Sequence, residues 1–207
     1  MARLSVELER YFFEEERSSP KVTLTEVLQL AGERIFGFLF VILSLPSALP
    51  VPAPGYSTPF GLVLLLLALQ LIVGAKFPWL PKKISQYPLE IKQVQGVVKT
   101  GLPWLKRIEM LSRPRLSYIC TSLPGRVTIG MMIALMGISM MIPIPGTNTL
   151  PAMGIFVTGF GLMEDDGAIS LAGLVLCLMG GILTTSILIA ILVGGTSLLD
   201  VIKDSLR

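Results

Sequence analysis

Three stretches of this 207-residue chain contain no Asp, Glu, Lys or Arg: residues 35–75, 127–163 and 167–199. Each exceeds the roughly 20 apolar residues that a helix needs to cross a bilayer. Charged residues make up only 15% of the chain, against about 25% in soluble domains. The pattern therefore predicts a multi-pass integral membrane protein. Residues 1–17 are charged throughout, which is not typical of a signal peptide.

Prolines interrupt the first two of these stretches. Pro46, Pro50 and Pro52 follow the first apolar helix, and Pro143 and Pro145 follow the second. Proline lacks a backbone donor and clashes with the preceding turn, so a continuous helix is not expected there. The predicted helices are residues 35–45, 60–74, 127–142 and 152–163, with a last helix over 167–193 that Gly194 and Gly195 end.

These breaks define the predicted fold class. Two full spans and a turn need roughly 45 residues, and the first stretch is shorter than that. We expect an all-α integral membrane protein with two repeated hairpins of discontinuous, re-entrant helices broken at Pro-x-Pro. A C-terminal spanning helix and amphipathic surface helices complete it.

The two broken stretches match each other at a fixed offset of 93 positions. The matched pairs are Gly37 with Gly130, Pro50 with Pro143, Pro52 with Pro145 and Gly61 with Gly154. Repeats with discontinuous helices at corresponding positions are typical of secondary transporters. A basic connector between the halves favours entry of both hairpins from one face, whereas an inverted repeat requires opposite faces. We expect the inverted arrangement.

The domain organisation follows from these features. Residues 1–20 are predicted to form an amphipathic N-terminal helix, 21–81 the first broken hairpin, 82–122 a basic interfacial connector and 123–207 the second hairpin with a C-terminal transmembrane helix and short tail. Thr23 and Glu26 form a capping-box pattern at the start of a helix. Residues 84–98 and 104–111 are predicted to be surface helices. The positive-inside rule places the basic connector in the cytoplasm, and no nucleic-acid partner is expected.

Small polar residues lie beside each break. They are Ser57 and Thr58 in the first half and Thr147, Asn148 and Thr149 in the second. Helix N-termini carry partial positive charge and free N–H groups, so the two clusters predict an anion site without a basic side chain. The alternative is that these side chains only cap the broken helices. Gln70, alone in an apolar helix, is predicted to face the interior.

Charged residues at the edges of the apolar stretches are candidates for gating or coupling, because ionisable groups near a membrane interior are costly and often functional. They are Glu33, Arg34, Arg126, Glu164, Asp165 and Asp166. The alternative interpretation is that the two arginines mark helix ends and that the aspartates cap the last helix.

Several kinds of chemistry are not expected. The chain contains no histidine, which removes His-based acid–base catalysis and His metal sites. Its two cysteines, Cys120 and Cys177, have no CxxC spacing, and Cys177 is predicted to be a buried inert thiol. An enzyme acting on lipid-linked sugar would use the carboxylates at 164–166, but no second cluster accompanies them in the apolar stretches. We therefore expect no enzyme, metal or cofactor.

Several motifs in order resemble the ExoD family over residues 23–191. In the first half they are Glu33-Arg34, Leu49-Pro50-Val51-Pro52, Ala68-Leu69-Gln70 and Pro78-Trp79-Leu80-Pro81; in the second they are Arg113-Pro114-Arg115, Pro143-Ile144-Pro145, Leu150-Pro151-Ala152 and Gly161-Leu162-Met163-Glu164-Asp165-Asp166-Gly167. The resemblance implies a bacterial inner-membrane protein associated with exopolysaccharide synthesis and with growth under alkaline stress. The resemblance implies the process in which the protein takes part, but it does not imply a reaction that the protein performs.

Two functions are consistent with these features. The first is a secondary transporter of a small ion, an anion coupled to a cation, with its site at the two breaks. The second is a non-transporting accessory of exopolysaccharide assembly that docks on membrane enzymes through the connector. A homodimer is expected, because a small unit has little protein with which to bury two breaks.

Overall fold

The structure is a computed structural model that describes residues 6, 9–14, 21–23, 32–48, 57–79, 88–90, 95, 99, 106, 114–142 and 147–205. Its helices are α1 (Ile35–Ala48), α2 (Ser57–Ile72), α3 (Tyr118–Thr121), α4 (Leu123–Met141), α5 (Thr149–Met163) and α6 (Gly167–Ser205). A π-helical turn covers Arg10–Glu14 and a 3-10 turn covers Gly32–Arg34. The dominant helical character of the prediction is confirmed. Pro50, Pro52, Pro143 and Pro145 lie outside the described residues, so the breaks themselves stay a prediction.

Prolines lie in the last turn of one helix and in the first turns of two others. Pro46 lies inside the last turn of α1, which continues to Ala48 and past the predicted end. Pro59 and Pro151 are each the third residue of their helices, so α2 and α5 begin three residues earlier than predicted. The first turn of a helix tolerates proline because its N–H groups have no intrahelical partner there.

The last helix is longer than the sequence predicts. Gly194 and Gly195 do not end α6, which continues to Ser205 as one helix. A glycine costs about 1 kcal/mol relative to alanine inside a helix, but it does not remove a backbone hydrogen bond. The prediction of a separate short tail after these glycines is therefore wrong.

Two short strands also depart from the prediction. β1 (Lys21–Thr23) pairs antiparallel with β2 (Pro88–Glu90), with Val22 opposite Leu89. The second strand lies inside the predicted surface helix 84–98, which a proline in its interior disfavours. Thr23 is the last residue of β1, and the start of the helix that the capping-box pattern predicts after it lies outside the described residues. A salt bridge of 2.6 Å between Lys106 Nζ and Glu9 Oε2 also joins the N-terminal segment to the connector.

The helices of the first hairpin pack on helices of the second half, an arrangement that we call the exchanged packing. α1 packs against α5, and α2 packs against α4, and these are the two exchanged pairs. Both pairs meet at glycines: a Cβ on Gly37 would lie 2.7 Å from the Gly159 carbonyl oxygen, and a Cβ on Gly61 would lie 2.7 Å from that of Gly137. Backbones this close leave no room for a side chain between them, so the two helices of the first hairpin pack mainly on the second half.

Both exchanged pairs are antiparallel. Along α1 the contacts run from Gly37 with Met163 to Phe40 with Gly159, and along α2 they run from Gly61 with Gly137 to Ala68 with Gly130. The last turns of α1 and α4 and the first turns of α2 and α5 therefore meet at one end, which we call the tip end. The opposite end of these four helices is the base end. Since α1 and α4 point in the same direction, the expected inversion of the two halves is wrong.

The fifth long helix passes beside both ends. α6 runs antiparallel to α5: a Cβ on Gly154 would touch Cys177, and a Cβ on Gly180 would touch Pro151. It therefore begins at the base end and passes the tip end near Thr184. By length and composition, residues 123–141 and 167–191 are able to cross a membrane, whereas α1, α2 and α5 are shorter apolar helices. Multi-pass insertion stays a prediction.

Candidate functional site

Hydroxyl groups of the first hairpin meet at the tip end. The Oγ atoms of Ser47 in α1 and Ser57 in α2 lie 3.4 Å apart, and Ser47 is buried. One turn earlier, buried Ser44 donates a hydrogen bond of 2.6 Å to the Phe40 carbonyl. Thr58 is half-buried in the first turn of α2. The predicted polar cluster of the first half thus lies where α1 ends and α2 begins.

The second hairpin has a matching cluster. Thr147 is buried, and its Oγ1 donates to Asn148 Oδ1 at 3.4 Å. The Asn148 amide in turn donates to the Met140 carbonyl in the last turn of α4 at 3.4 Å. Although Asn148 occupies the N-cap position of α5, its side chain accepts no capping bond from that helix. Thr149 begins α5 and is half-buried. The capping interpretation therefore does not account for the Asn148 side chain.

A hydroxyl pair from α6 joins this end of the molecule. Ser139 Oγ donates to Thr184 Oγ1 at 3.1 Å, and Thr184 donates to the Gly180 carbonyl at 2.9 Å. Both side chains are buried. Sequence reasoning missed these two residues and Ser47. The signal was present, because Ser47 and Ser139 each lie in the last turn before a Pro-x-Pro motif.

The electrostatics of the tip end come from helix termini. The described residues of the four meeting turns carry no charged side chain. Two helix C-termini, from α1 and α4, meet two helix N-termini, from α2 and α5. Each terminus carries about half an elementary charge, negative at the C-terminus and positive at the N-terminus. The tip end therefore offers partial charges of both signs beside hydroxyls that can donate or accept.

Gln70 lies at the other end of the molecule. It is 13 residues after Ser57 in α2, about 20 Å along the helix axis. Its side-chain amide pairs with the backbone of Trp79: Nε2 donates to the carbonyl oxygen, and the Trp79 N–H donates to Oε1. This double contact fixes the segment that leaves α2. The structure does not bring Gln70 to the tip-end clusters.

The candidate coupling charges also lie at the base end. Arg126 Nη2 donates to the Ala75 carbonyl just beyond α2 at 3.2 Å. Asp166 is buried, and its Oδ1 accepts from the N–H groups of Ala168 and Ile169 at 3.0 and 3.3 Å. These contacts match the alternative interpretation, in which the arginine marks a helix end and the aspartate caps the last helix.

The remaining charges of that set occupy turns. Arg34 ends the 3-10 turn before α1, and Glu33 lies within that turn. Glu164 and Asp165 form the turn between α5 and α6, where Asp165 has a φ of 54°. From Arg126 to the end of α4 the helix rises about 23 Å. The predicted coupling charges and the predicted ion site are thus at opposite ends.

Both cysteines are buried, as predicted for Cys177. Cys120 in α3 lies 3.4 Å from Ser170 Oγ and 3.5 Å from the Gly161 carbonyl oxygen. Burial raises the pKa of the Cys120 thiol, and the hydrogen bond with Ser170 offsets part of that effect. Cys120 therefore joins α3 to the turn between α5 and α6 as a neutral, packed side chain.

Comparison with known proteins gives one family. The sequence model described as "Exopolysaccharide synthesis, ExoD" matches residues 4–186. The uncharacterized protein slr1875 of Synechocystis sp. is 52% identical over 207 residues, which is all of this chain and 97% of that protein. Protein ExoD of Rhizobium meliloti is 31% identical over 155 residues, which is 73% of this chain and 64% of that protein. No solved structure matches the chain.

Proposed function

Because this chain belongs to the ExoD family, which is linked to exopolysaccharide synthesis, we propose that it serves that process as a secondary transporter of a small ion. The protein lies in the bacterial inner membrane and crosses it more than once. Its ion site is the tip end. The observation that carries the proposal is the meeting of four helix termini with hydroxyls from Ser47, Ser57 and Thr147, which is the composition of a site that binds ions without charged side chains.

The two signs of partial charge suit an anion and a cation together. An anion binds at the N-termini of α2 and α5, where N–H groups point out of the helices. A cation binds at the carbonyl groups that end α1 and α4, as in transporters with broken helices. The Asn148 amide, held by the Met140 carbonyl, lies between these two kinds of terminus. Binding at adjacent positions couples the two ions through mutual attraction.

The exchanged packing supports an internal repeat. Each half supplies one arm to each packed pair, and Pro59 and Pro151 occupy the same third position in α2 and α5. The offset between these prolines is 92 residues, one less than the 93 that relates Gly37 to Gly130 and Gly61 to Gly154. Because corresponding helices point the same way, the halves are related by an axis along the helices, which is the parallel class of transporter repeat.

The short helices support a tip end that lies inside the bilayer. α1 and α2 rise about 21 and 24 Å, less than the roughly 30 Å of a hydrocarbon core. Basic residues at or near the base end include Lys76, Arg115 and Arg126. The positive-inside rule therefore puts that end in the cytoplasm. Both hairpins then re-enter from the cytoplasmic face.

Electrophysiology on solid-supported membranes tests the transport proposal. Proteoliposomes are exposed to a panel of small anions, each with a proton or Na⁺ gradient. The variants Ser57→Ala and Asn148→Ala are expected to raise the half-saturating ion concentration about fivefold, the effect of losing one hydrogen bond of about 1 kcal/mol. Thr128→Val at the base end removes a hydroxyl that bonds only to the Pro124 carbonyl and serves as the matched control. Absence of substrate-dependent current across the whole panel contradicts the proposal.

One feature favours the accessory function as second candidate. Met179 and Leu183 belong to a wide exposed apolar face on α6, with 53% and 41% of each side chain exposed. Such a face fits a membrane enzyme of polysaccharide assembly or a second copy in a homodimer. Co-purification with a synthase that Met179→Trp abolishes, without any transport current, favours the accessory function. Mass measurement in nanodiscs tests the homodimer, which a clean monomer contradicts.

A further inference from the structure

A groove of about 490 Å³ lies between α4 and α6, the two helices that are long and apolar enough to cross a membrane. Its walls run parallel, because Met136 lies beside Gly181 and Ser139 bonds to Thr184. The missing side chain of Gly181 helps to open it: a Cβ there would meet only the end of Met136, at 3.2 Å. Exposed apolar side chains of both helices line it, Leu135 on α4 and Leu178 on α6, so in a membrane the groove faces the lipid.

The lining changes character along the groove. Towards the base end it is apolar, with Met132, Leu135 and Leu178 among its residues. Towards the tip end it carries hydroxyls, of which Thr185 and Ser186 are exposed. None of the residues lining the groove is charged. A ligand that fits has an apolar chain and a neutral acceptor group at one end.

The size of the groove indicates what it can hold. Between Met132 and Ile142 it follows about 15 Å of α4, and its volume is about 490 Å³. It lies within the range of about 300–1,000 Å³ seen for small-molecule sites. A single extended hydrocarbon chain fits this space.

We propose that this groove binds one acyl chain of a membrane glycerolipid from the leaflet at the tip end. The chain lies along Leu135, Leu178 and Gly181 towards the middle of the bilayer. Its ester carbonyl accepts hydrogen bonds from Thr185 and Ser186. The absence of charge from the groove lining means that the phosphate and headgroup stay outside, so the site selects an ester-linked chain and not a headgroup. The proposal does not depend on ion transport.

Photolabelling in nanodiscs tests it. The full chain is reconstituted in phosphatidylcholine that carries a diazirine on one acyl chain, irradiated, and mapped by peptide mass spectrometry. The groove side of α6, at Leu178 and Ile182, is expected to carry more label than the outer side, at Met179 and Leu183. The expected ratio is at least about fivefold, which corresponds to about 1 kcal/mol. This comparison uses the unmodified protein and needs no variant.

Variants then test the cause. Gly181→Phe fills the groove and is expected to reduce the groove-side label about fivefold, whereas Leu183→Phe adds an aromatic ring on the outer side and leaves it unchanged. The double variant Thr185→Val with Ser186→Ala is expected to reduce the label when the probe is an ester lipid and to have no effect with an ether lipid. Equal labelling of both sides of α6 overturns the proposal. A cross-link that joins two copies of the chain through Leu178 also overturns it.

Discussion

Gly37→Ala tests the exchanged packing at its closest point. An alanine Cβ at this position would lie 2.5 Å from the Met163 nitrogen and 2.7 Å from the Gly159 carbonyl oxygen, whereas ordinary contacts begin at 3.4 Å. α1 and α5 must therefore separate by about 1 Å. Overpacking of this kind costs about 1–3 kcal/mol. In a chain of this size each kcal/mol lowers the midpoint of thermal unfolding by about 2–4 °C, so we expect a loss of roughly 2–12 °C.

The two cysteines supply the assay. Cys120 and Cys177 are 3% and 0% exposed, so a thiol-reactive fluorescent dye reports unfolding when heat exposes them. Gly181→Ala is the matched control, because the same change in α6 meets only the flexible end of Met136. Its midpoint is expected to stay within about 2 °C of the unmodified chain. A Gly37→Ala midpoint equal to that of the unmodified chain, or above that of Gly181→Ala, refutes the exchanged packing.

Three further results are expected. Arg126→Gln removes the charged hydrogen bond to the Ala75 carbonyl and should lower the free energy of unfolding by about 1–2 kcal/mol, with a smaller loss in Arg126→Lys, which keeps the positive charge; equal losses of the two variants in thermal unfolding contradict a role for that charge. Burial raises the pKa of the Cys120 thiol above its ordinary value of 9.0, so its contribution to stability is full below about pH 9 and is lost as pH rises through the folded pKa. Unfolding midpoints taken upwards from about pH 8 should fall less steeply in Cys120→Ala; identical slopes contradict this. Ser57→Cys and Asn148→Cys, in a Cys120→Ala, Cys177→Ala background, should react with an impermeant maleimide from the same side of the membrane, and labelling from opposite sides refutes a common tip end.

Periodicity and apolar length predicted the long helices but misplaced their ends. The prolines predict that α1 ends before Pro46 and that α2 and α5 begin after Pro59 and Pro151. Pro46 instead lies in the last turn of α1, and Pro59 and Pro151 lie in first turns, which tolerate proline. Gly194 predicts the end of α6 because glycine is a poor helix former. Local propensity ranks residues and does not decide where a long helix ends, since neighbouring turns continue to supply hydrogen bonds.

The direction of the two halves could not be predicted from composition. The hydropathy of a segment does not show which way its helix points, so the same apolar pattern suits a parallel or an inverted repeat. Only the contacts of Gly37 with Gly159 and of Gly61 with Gly137 fix the direction. Those glycines were visible in the sequence, and close backbone approach is a known use of small residues between membrane helices. Their partners were not visible, because partner choice is a property of two distant segments.

The candidate site was predicted in part. The polar side chains of Ser57, Thr147 and Asn148 lie at one end, as the pairing of the breaks suggested, whereas Gln70 and the charged residues lie at the other. An isolated polar residue in an apolar helix was taken to face an interior site. Gln70 instead bonds to the backbone of Trp79, since an amide satisfies both a free N–H and a free carbonyl at a helix exit.

The exchange of partners has a consequence for how the chain is made. When the first hairpin leaves the ribosome, Gly37 and Gly61 have no surface to pack on, because α4 and α5 have not yet been synthesised. The close-packing faces of the first half therefore stay uncovered until the second half has been made. This order makes completion of the second half the step that produces a stable structure. It also means that two separately expressed halves, split within the connector, contain all the surfaces required to assemble.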